Sequence, residues 1–402
     1  MRLINFFWDV GLSVFRGGKL YFALLTVFGL VALLGFFSYI KQYQLGIMGH
    51  GLGEEVSWGV YIANFTFLVG VAAAAVMLVI PAYIFNIKRI KEVVLLGEVM
   101  ALTACIMCVL FILVSLGRPE RLWHILPFLG KLNLPTSMLA WDVIVINSYL
   151  ILNLLIPLYM LYIKYCGEEP NFKIYFPATL VSILFAISIH TVTAFLFSSN
   201  VSRPFWNTAI LGPRFLASAF TSGPAILIIA FQMIRAKSTY WIDDGVIKIL
   251  ALITTVALQI NMFLLAVELF TEFYRQTDHG ASAQYLFFGL DGHNQLVPWI
   301  WTAIALNTIA LLILSVHKLR ESPRFLNTAC VLTVFGIWIE KGMGLVIPGL
   351  IPSPLGDIVE YTPSIYEIGV SVGIWSIGGM IFLVLAKIVI GVEKGRIKYI
   401  PR

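Results

Sequence analysis

Asp142, His190, Glu268 and Glu340 stand inside stretches of sequence so apolar that each is out of place there. An ionisable group in hydrocarbon costs about 3 kcal/mol or more unless it is paired or lines a wet cavity, so it is retained where it carries protons or holds helices together. Carboxylates and imidazoles can both take up and release protons near neutral pH. Glu268 and Glu272 are four residues apart and so share a helix face. Glu54 and Glu55 precede Trp58-Gly59 at the start of another apolar run, and Glu98 and Lys387 lie near the ends of two more. Plainer roles exist beside these. Glu367, at the start of a helix, also complements the helix dipole, Lys387 can reach the headgroups along its own stem, and Glu272 can stand in water. Glu340 and Lys341 can form a structural pair, and His190 a hydrogen-bonded helix contact. Asp142 and Glu268 are the hardest to explain as structure alone. Glu98 reads equally as a proton-path carboxylate and as a surface group.

The elements that position these residues are hydrophobic runs. Hydrophobic residues make up 59% of the 402 positions and charged ones 12%, a balance that excludes a soluble globular domain. A spanning helix needs about 20 mostly apolar residues. Ten runs qualify, at roughly 20–40, 56–85, 93–116, 137–163, 175–197, 214–234, 246–271, 296–316, 325–346 and 364–389. The runs are continuous and do not alternate as barrel strands do, and a helix satisfies its own backbone in lipid. The expected class is an all-α membrane protein with ten transmembrane helices. The first run is too long for a secretory signal, and no small-residue cleavage site follows Ile40.

With the N-terminus inside, the inner segments hold more than twice as many Lys and Arg as the outer ones, the outer count including Arg214 and Lys341. That bias predicts cytoplasmic termini at both ends, in a multi-pass protein of the cytoplasmic (inner) membrane. It also explains the net charge of +6 without nucleic acid. The outer connections are the longer ones and are rich in Gly, Pro, Trp and His. Long ordered connections build sites or docking surfaces, so chemistry is expected at the outer face.

Resident metals find little support. Cys105 and Cys108 form a CxxC, but inside the third run, where they read as small core residues. Of His50, His124, His190, His279, His293 and His317, only His190 is well inside a run, which argues against paired haem ligands. No nucleotide-binding glycine motif is present. The expectation is therefore no haem, iron–sulfur cluster or metal in this chain. A quinone headgroup suits the arrangement better. It exchanges two protons with two electrons and needs an apolar crevice with hydrogen-bonding groups at its carbonyls. Trp58, Tyr61, Trp123, Trp141 and the outer carboxylates are candidates, although aromatics at this depth are also ordinary interfacial anchors.

Specific segments carry a family likeness. Glu54-Glu55-Val56-Ser57-Trp58-Gly59-Val60-Tyr61-Ile62, followed by Gly70-Val71-Ala72-Ala73-Ala74, resembles the first bundle helix of the NrfD/PsrC family, the integral membrane subunits of polysulfide reductase-type complexes. Leu116-Gly117-Arg118-Pro119-Glu120-Arg121-Leu122-Trp123-His124 and Thr136-Ser137-Met138-Leu139-Ala140-Trp141-Asp142 resemble that family's next loop and next helix start. Arg203-Pro204-Phe205-Trp206, Pro298-Trp299-Ile300-Trp301, Trp338-Ile339-Glu340-Lys341-Gly342 and Ile347-Pro348-Gly349-Leu350-Ile351-Pro352-Ser353 continue it. Ten helices resemble the longer members, most of all the DsrP type of the sulfite-reduction-associated DsrMKJOP complex, with the HmcC and QrcD types close.

The resemblance implies one domain over 1–402, with two four-helix bundles (helices 2–5 within 56–197 and helices 6–9 within 214–346) flanked by helices 1 and 10. It implies exchangeable menaquinone/menaquinol near the outer face, beneath an extracytoplasmic, ferredoxin-like iron–sulfur subunit. Cytochrome c and b-type membrane subunits and a cytoplasmic iron–sulfur subunit are further expected partners. By position, Asp142, His190 and Glu268 are the expected proton-handling residues. Glu54, Glu55, Ser57, Trp58, Tyr61, Arg118, Trp123 and His124 are the expected cofactor-binding ones, and Glu98, Glu272 and Glu340 the expected proton path. One departure is visible. Polysulfide-reductase-like members place a histidine just before the Trp-Gly, where this chain has Val56-Ser57, so a carboxylate or Ser57 would replace it. The function expected is that of a subunit in a menaquinol oxidoreductase complex linked to sulfur metabolism, inactive alone. A secondary transporter or channel, or a passive anchor, are the alternatives.

Overall fold

The computed structural model describes residues 1–125, 129–275 and 280–400. Among these residues it is helical throughout, with no β-strand beyond an isolated bridge between Leu290 and His293. Ten helices are long and apolar enough to cross a membrane. They are span 1 (Lys19–Leu45), span 2 (Val60–Ile84), span 3 (Val94–Ser115), span 4 (Met138–Tyr165), span 5 (Phe172–Ser198), span 6 (Leu211–Lys237), span 7 (Asp244–Tyr274), span 8 (Val297–Ser315), span 9 (Pro323–Leu350) and span 10 (Ile365–Glu393). Each falls within a few residues of a predicted run, because run length and apolarity are the determinants of a span.

Local sequence fixes several boundaries. Ser137 caps span 4 by accepting from the Ala140 amide at 3.3 Å. Ser364 and Glu367 form a reciprocal capping box at the start of span 10. Glu367 is more than a dipole partner, since it also accepts from the Gly51 amide at 2.7 Å and from Tyr361 Oη at 2.9 Å. Lys387 does not reach past the protein. Its Nζ donates to the Arg16 carbonyl and sits 3.6 Å from the centre of the Tyr21 ring.

Two spans depart from α geometry in ways the sequence pattern did not reveal. Span 2 tightens to a 3₁₀ turn at Ala73–Ala75 and widens to a π-turn at Ile80–Ile84. Span 9 carries a π-turn at Ile339–Met343, which holds both Glu340 and Lys341. Such turns re-aim side chains and cluster at functional positions.

The chain has two distinct ends. Both termini lie at one, where Arg2 reaches Glu168 at 3.1 Å and lies over the Tyr399 ring, and Lys164 pairs with Glu393. Loops gather at the other, where Gln295 Nε2 donates to Thr362 at 2.6 Å and Arg203 to the Leu350 carbonyl at 3.0 Å. An unpredicted amphipathic helix, Arg2–Val14, lies at the terminal end. Phe6 packs edge-on against Tyr162 and Tyr165, while Leu3, Phe7 and Trp8 face outward. An apolar outer face of this kind suits the membrane interface.

Helix contacts rest on small residues, as expected where lipid supplies no hydrophobic drive between helices. Spans 2 and 6 approach so closely that a Cβ on Gly223 would meet the Ala74 methyl, and one on Gly70 would lie 3.5 Å from the Ala219 Cα. Span 1 is mostly exposed along its length and packs on span 10 at a crossing of Gly35 with Gly373. Asn64 in span 2 accepts from Trp338 at 3.0 Å and from Trp375 at 2.8 Å, tying spans 2, 9 and 10.

Candidate functional site

Asp142 of span 4 is tied by Thr193 to span 5, one turn from His190. Asp142 is 4% exposed, one turn into span 4, and its Oδ1 accepts from Thr193 Oγ1 at 2.9 Å. Thr193 is three residues after His190 on span 5, so the two share a helix face. His190 is 1% exposed, and its Nδ1 lies 3.1 Å from the Ala186 carbonyl. A carbonyl only accepts, so Nδ1 carries the proton and Nε2 is left as an acceptor. Among the described residues Nε2 has no partner. A bare buried acceptor is a place for a donor that comes and goes.

Four residues beyond Thr193 on span 5, Phe197 enters an aromatic cluster. Trp58 stacks on Trp206 with ring centres 5.6 Å apart, and both touch Phe197 edge-on. Trp206 Nε1 donates to the Leu345 carbonyl at 2.8 Å. Phe215 continues the cluster inward, 6.0 Å from Phe197, and Lys341 Nζ lies 4.2 Å from the centre of the Phe215 ring.

A second polar cluster lies among spans 6 to 9. Arg214 Nη1 donates to Glu268 Oε2, and its Nη2 donates to Glu340 Oε1 at 3.1 Å. Glu340 also accepts from Asn261 Nδ2 at 3.0 and 3.2 Å and from Asn307 Nδ2 at 2.8 Å. Donors from three spans thus converge on Glu340. Glu268 keeps one buried oxygen, Oε1, without a partner among the described residues. Arg214 corrects the sequence count, which placed it in an outer loop. Span 6 begins at Leu211, and the guanidinium is buried at 7% exposure between its two carboxylates. Lys341, assigned there to the outer segments as well, is 5% exposed inside span 9.

The other expected site residues are dispersed. Tyr61 is buried and donates to Gln42 Oε1. Glu55 and Trp58 are half-buried, while Glu54 and Ser57 are exposed. Arg118, Trp123 and His124 are exposed in and beside the 3₁₀ stretch Pro119–Ile125, and the structure does not bring them to the Asp142 pocket. Glu272 lines a crevice with Arg214 and Glu268. Glu98 is buried in span 3, in the half nearer the termini, and its Oε2 has no partner among the described residues. Cys105 and Cys108 are buried and free, as expected of core residues. Among the described residues no group of three or more His, Cys, Asp or Glu could hold a metal.

Sequence reasoning missed Arg214, Thr193, Asn261, Asn307 and His50. The signal for most of them was a polar residue within an apolar run. His50 is half-buried, with Gln42 Nε2 at 2.8 Å from its Nδ1. Burial pushes its imidazolium below the usual range against the opposing pull of Glu367, which favours the neutral ring.

Residues 50–352 match the family model described as Polysulphide reductase, NrfD, well over half of the chain. The chain belongs to the NrfD family. Spans 2 to 9 fall inside that match, and so do both polar clusters. Several relatives match over nearly the whole length. The Hdr-like menaquinol oxidoreductase integral membrane subunit of Archaeoglobus fulgidus is 27% identical over 384 residues, 92% of this chain and 93% of that protein. A putative dimethyl sulfoxide reductase membrane subunit of Halobacterium salinarum is 25% identical over 400 residues, 89% of each. A selenate reductase subunit of Mesobacillus selenatarsenatis is 24% identical over 419 residues, 92% of this chain and 94% of that protein.

Proposed function

We propose that this NrfD-family protein is the quinol-reacting membrane subunit of an electron-transfer complex, with its proton-accepting pocket at Asp142 and His190. The observation that carries the reading is the convergence of Asp142, Thr193 and His190, with the unpartnered His190 Nε2 facing the interior. The relatives' names point the same way: one is a menaquinol oxidoreductase membrane subunit, and the others are subunits of reductases. The residues present fit a quinol headgroup, since an acceptor nitrogen, a carboxylate and an aromatic wall occur together.

When bound, the quinol supplies two protons and two electrons. The chain's own residues take the protons. His190 Nε2 accepts one directly, and the Ala186 carbonyl holds the ring in the orientation that leaves Nε2 bare. Asp142 accepts a proton or steadies the imidazolium that forms, and Thr193 fixes its carboxylate. The Trp58–Trp206 stack excludes water from above. The electrons pass to a partner subunit.

The finer picture follows the same reading. Menaquinol is the carrier and the partner is an extracytoplasmic iron–sulfur subunit on the loop-rich end. The complex is of the DsrP type, in sulfur metabolism, with cytochrome subunits beside it. Spans 2–5 and 6–9 form two bundles, and both termini face the cytoplasm across the inner membrane. The test replaces Asp142→Asn and His190→Ala in the assembled complex. Quinol oxidation should fall about 100-fold or more in each, the range for losing a proton-transfer group. Full turnover and unchanged inhibitor binding in both variants would remove the assignment.

A further inference from the structure

Lys341 is a buried cation that makes no ion pair within 4.0 Å among the described residues, in contrast to Arg214 beside it. Its Nζ has the Phe215 carbonyl at 3.4 Å and the face of the Phe215 ring, and it occupies space that Gly70 leaves open: a Cβ there would lie 3.5 Å away. The π-turn at Ile339–Met343 aims neighbouring side chains differently. Glu340 points into the Arg214 cluster, and Lys341 points toward spans 2 and 6, against Phe215, whose ring in turn contacts Phe197 of span 5.

The charges of the second cluster do not cancel by themselves. Arg214 is positive, while Glu268 and Glu340 are both acids. Both oxygens of Glu340 already accept from Arg214, Asn261 or Asn307, which leaves no bare oxygen there to take a proton. Glu268 has an unpartnered oxygen and is the carboxylate able to accept a proton. One crevice runs past Arg214, Glu340 and Lys341, and a second past Arg214, Glu268 and Glu272. Two arrangements therefore leave the interior neutral. In one, Lys341 is an ammonium and Glu268 a carboxylate. In the other, Lys341 is an amine and Glu268 a carboxylic acid. They hold the same number of protons and differ only in which group carries one of them, and any state with an uncompensated charge is costly in so low a dielectric.

We propose that Lys341 and Glu268 share one transferable proton across the fixed Arg214–Glu340 ion pair, giving the Asp142–His190 pocket an outlet through spans 6 to 9 toward Glu272. The N–H bond of the Lys341 ammonium breaks and an O–H bond forms on Glu268 Oε1. As Glu268 passes its proton on toward Glu272, the neutral amine accepts the next one from the imidazolium of His190. No net charge is created at either step. The proposal rests on the quinol reading only for the origin of the proton, since the shared-proton pair stands on its own geometry.

The test is infrared difference spectroscopy on the purified full chain. Lys341→Met removes the ammonium and leaves the cluster with excess negative charge, so Glu268 should protonate. A buried carboxylic-acid band should appear, shift in D₂O, and vanish in the Lys341→Met/Glu268→Gln double variant. In the wild-type protein a pH-dependent band of the same frequency should be lost in Glu268→Gln, a measurement that holds even if Lys341→Met folds poorly. In the assembled complex each single variant should slow turnover about 10-fold or more, with inhibitor affinity within about twofold of wild type if the pocket is intact. A band that persists in the double variant, or no Glu268-dependent band in either wild type or Lys341→Met, overturns the proposal. If Asp142→Asn and His190→Ala leave quinol oxidation intact while the Glu268 band behaves as described, the quinol assignment fails and the shared proton stands.

Discussion

Arg214 joins three spans through two carboxylates, while its neighbour across the same crevice, Lys341, makes no ion pair among the described residues. The difference follows from side-chain shape. A guanidinium is planar and forked, so each edge can donate to a different carboxylate, whereas an ammonium is a compact point charge. Removing one member of a buried ion network leaves its partners uncompensated, which costs far more than the network contributes against a neutral replacement. Arg214→Met should therefore destabilise the protein by about 3–5 kcal/mol. The triple variant Arg214→Met/Glu268→Gln/Glu340→Gln should recover a substantial part of that. Thermal unfolding in detergent reads both, and an unchanged midpoint in Arg214→Met would show that the bridge carries no stability. At this scale the sequence showed Asp142, His190, Glu268 and Glu340 as misplaced polar residues. It did not show who meets whom, because Thr193, Arg214, Asn261 and Asn307 are recruited from other spans.

Helix boundaries were legible to within a few residues, because a span is set by local run length and by caps such as Ser137 and Ser364. The breaks inside spans were not. At the 3₁₀ turn Ala73–Ala75, Tyr149 Oη from span 4 donates to the Ala72 carbonyl at 3.1 Å. That partner is 77 residues away in the chain, outside the reach of local pattern. The Gly35–Gly373 crossing is another contact between distant segments. A Cβ on Gly35 would lie 2.5 Å from the Gly373 Cα, so neither position tolerates a side chain without separating the helices. Gly373→Val should push span 1 off span 10 while leaving spans 2 to 9 folded. Disulfide formation between Ser38→Cys and Gly369→Cys, which face each other across the same seam, should then be lost. Undiminished cross-linking would show that this seam does not hold span 1.

For the whole molecule, the Lys and Arg distribution predicts that the terminal end faces the cytoplasm. Ser57 lies exposed at the loop-rich end and Glu169 at the terminal end. With the native cysteines replaced, Ser57→Cys should react with a membrane-impermeant maleimide in intact cells, and Glu169→Cys only after permeabilisation. The reverse pattern would invert the proposed orientation and place the Asp142 pocket on the cytoplasmic side.

Hydrophobic run length, loop charge and cap residues act over a few neighbours, so the chain by itself determined ten spans, a membrane setting and the misplaced acids. Which acids share a proton donor, that Glu340 is clamped while Glu268 keeps a bare oxygen, and that Lys341 turns away from its neighbour were decided only when the helices packed. Packing in lipid is governed by close approach at small residues and by the need of each buried polar atom for a partner. Both conditions couple residues far apart in the chain, and neither leaves a local trace in the sequence.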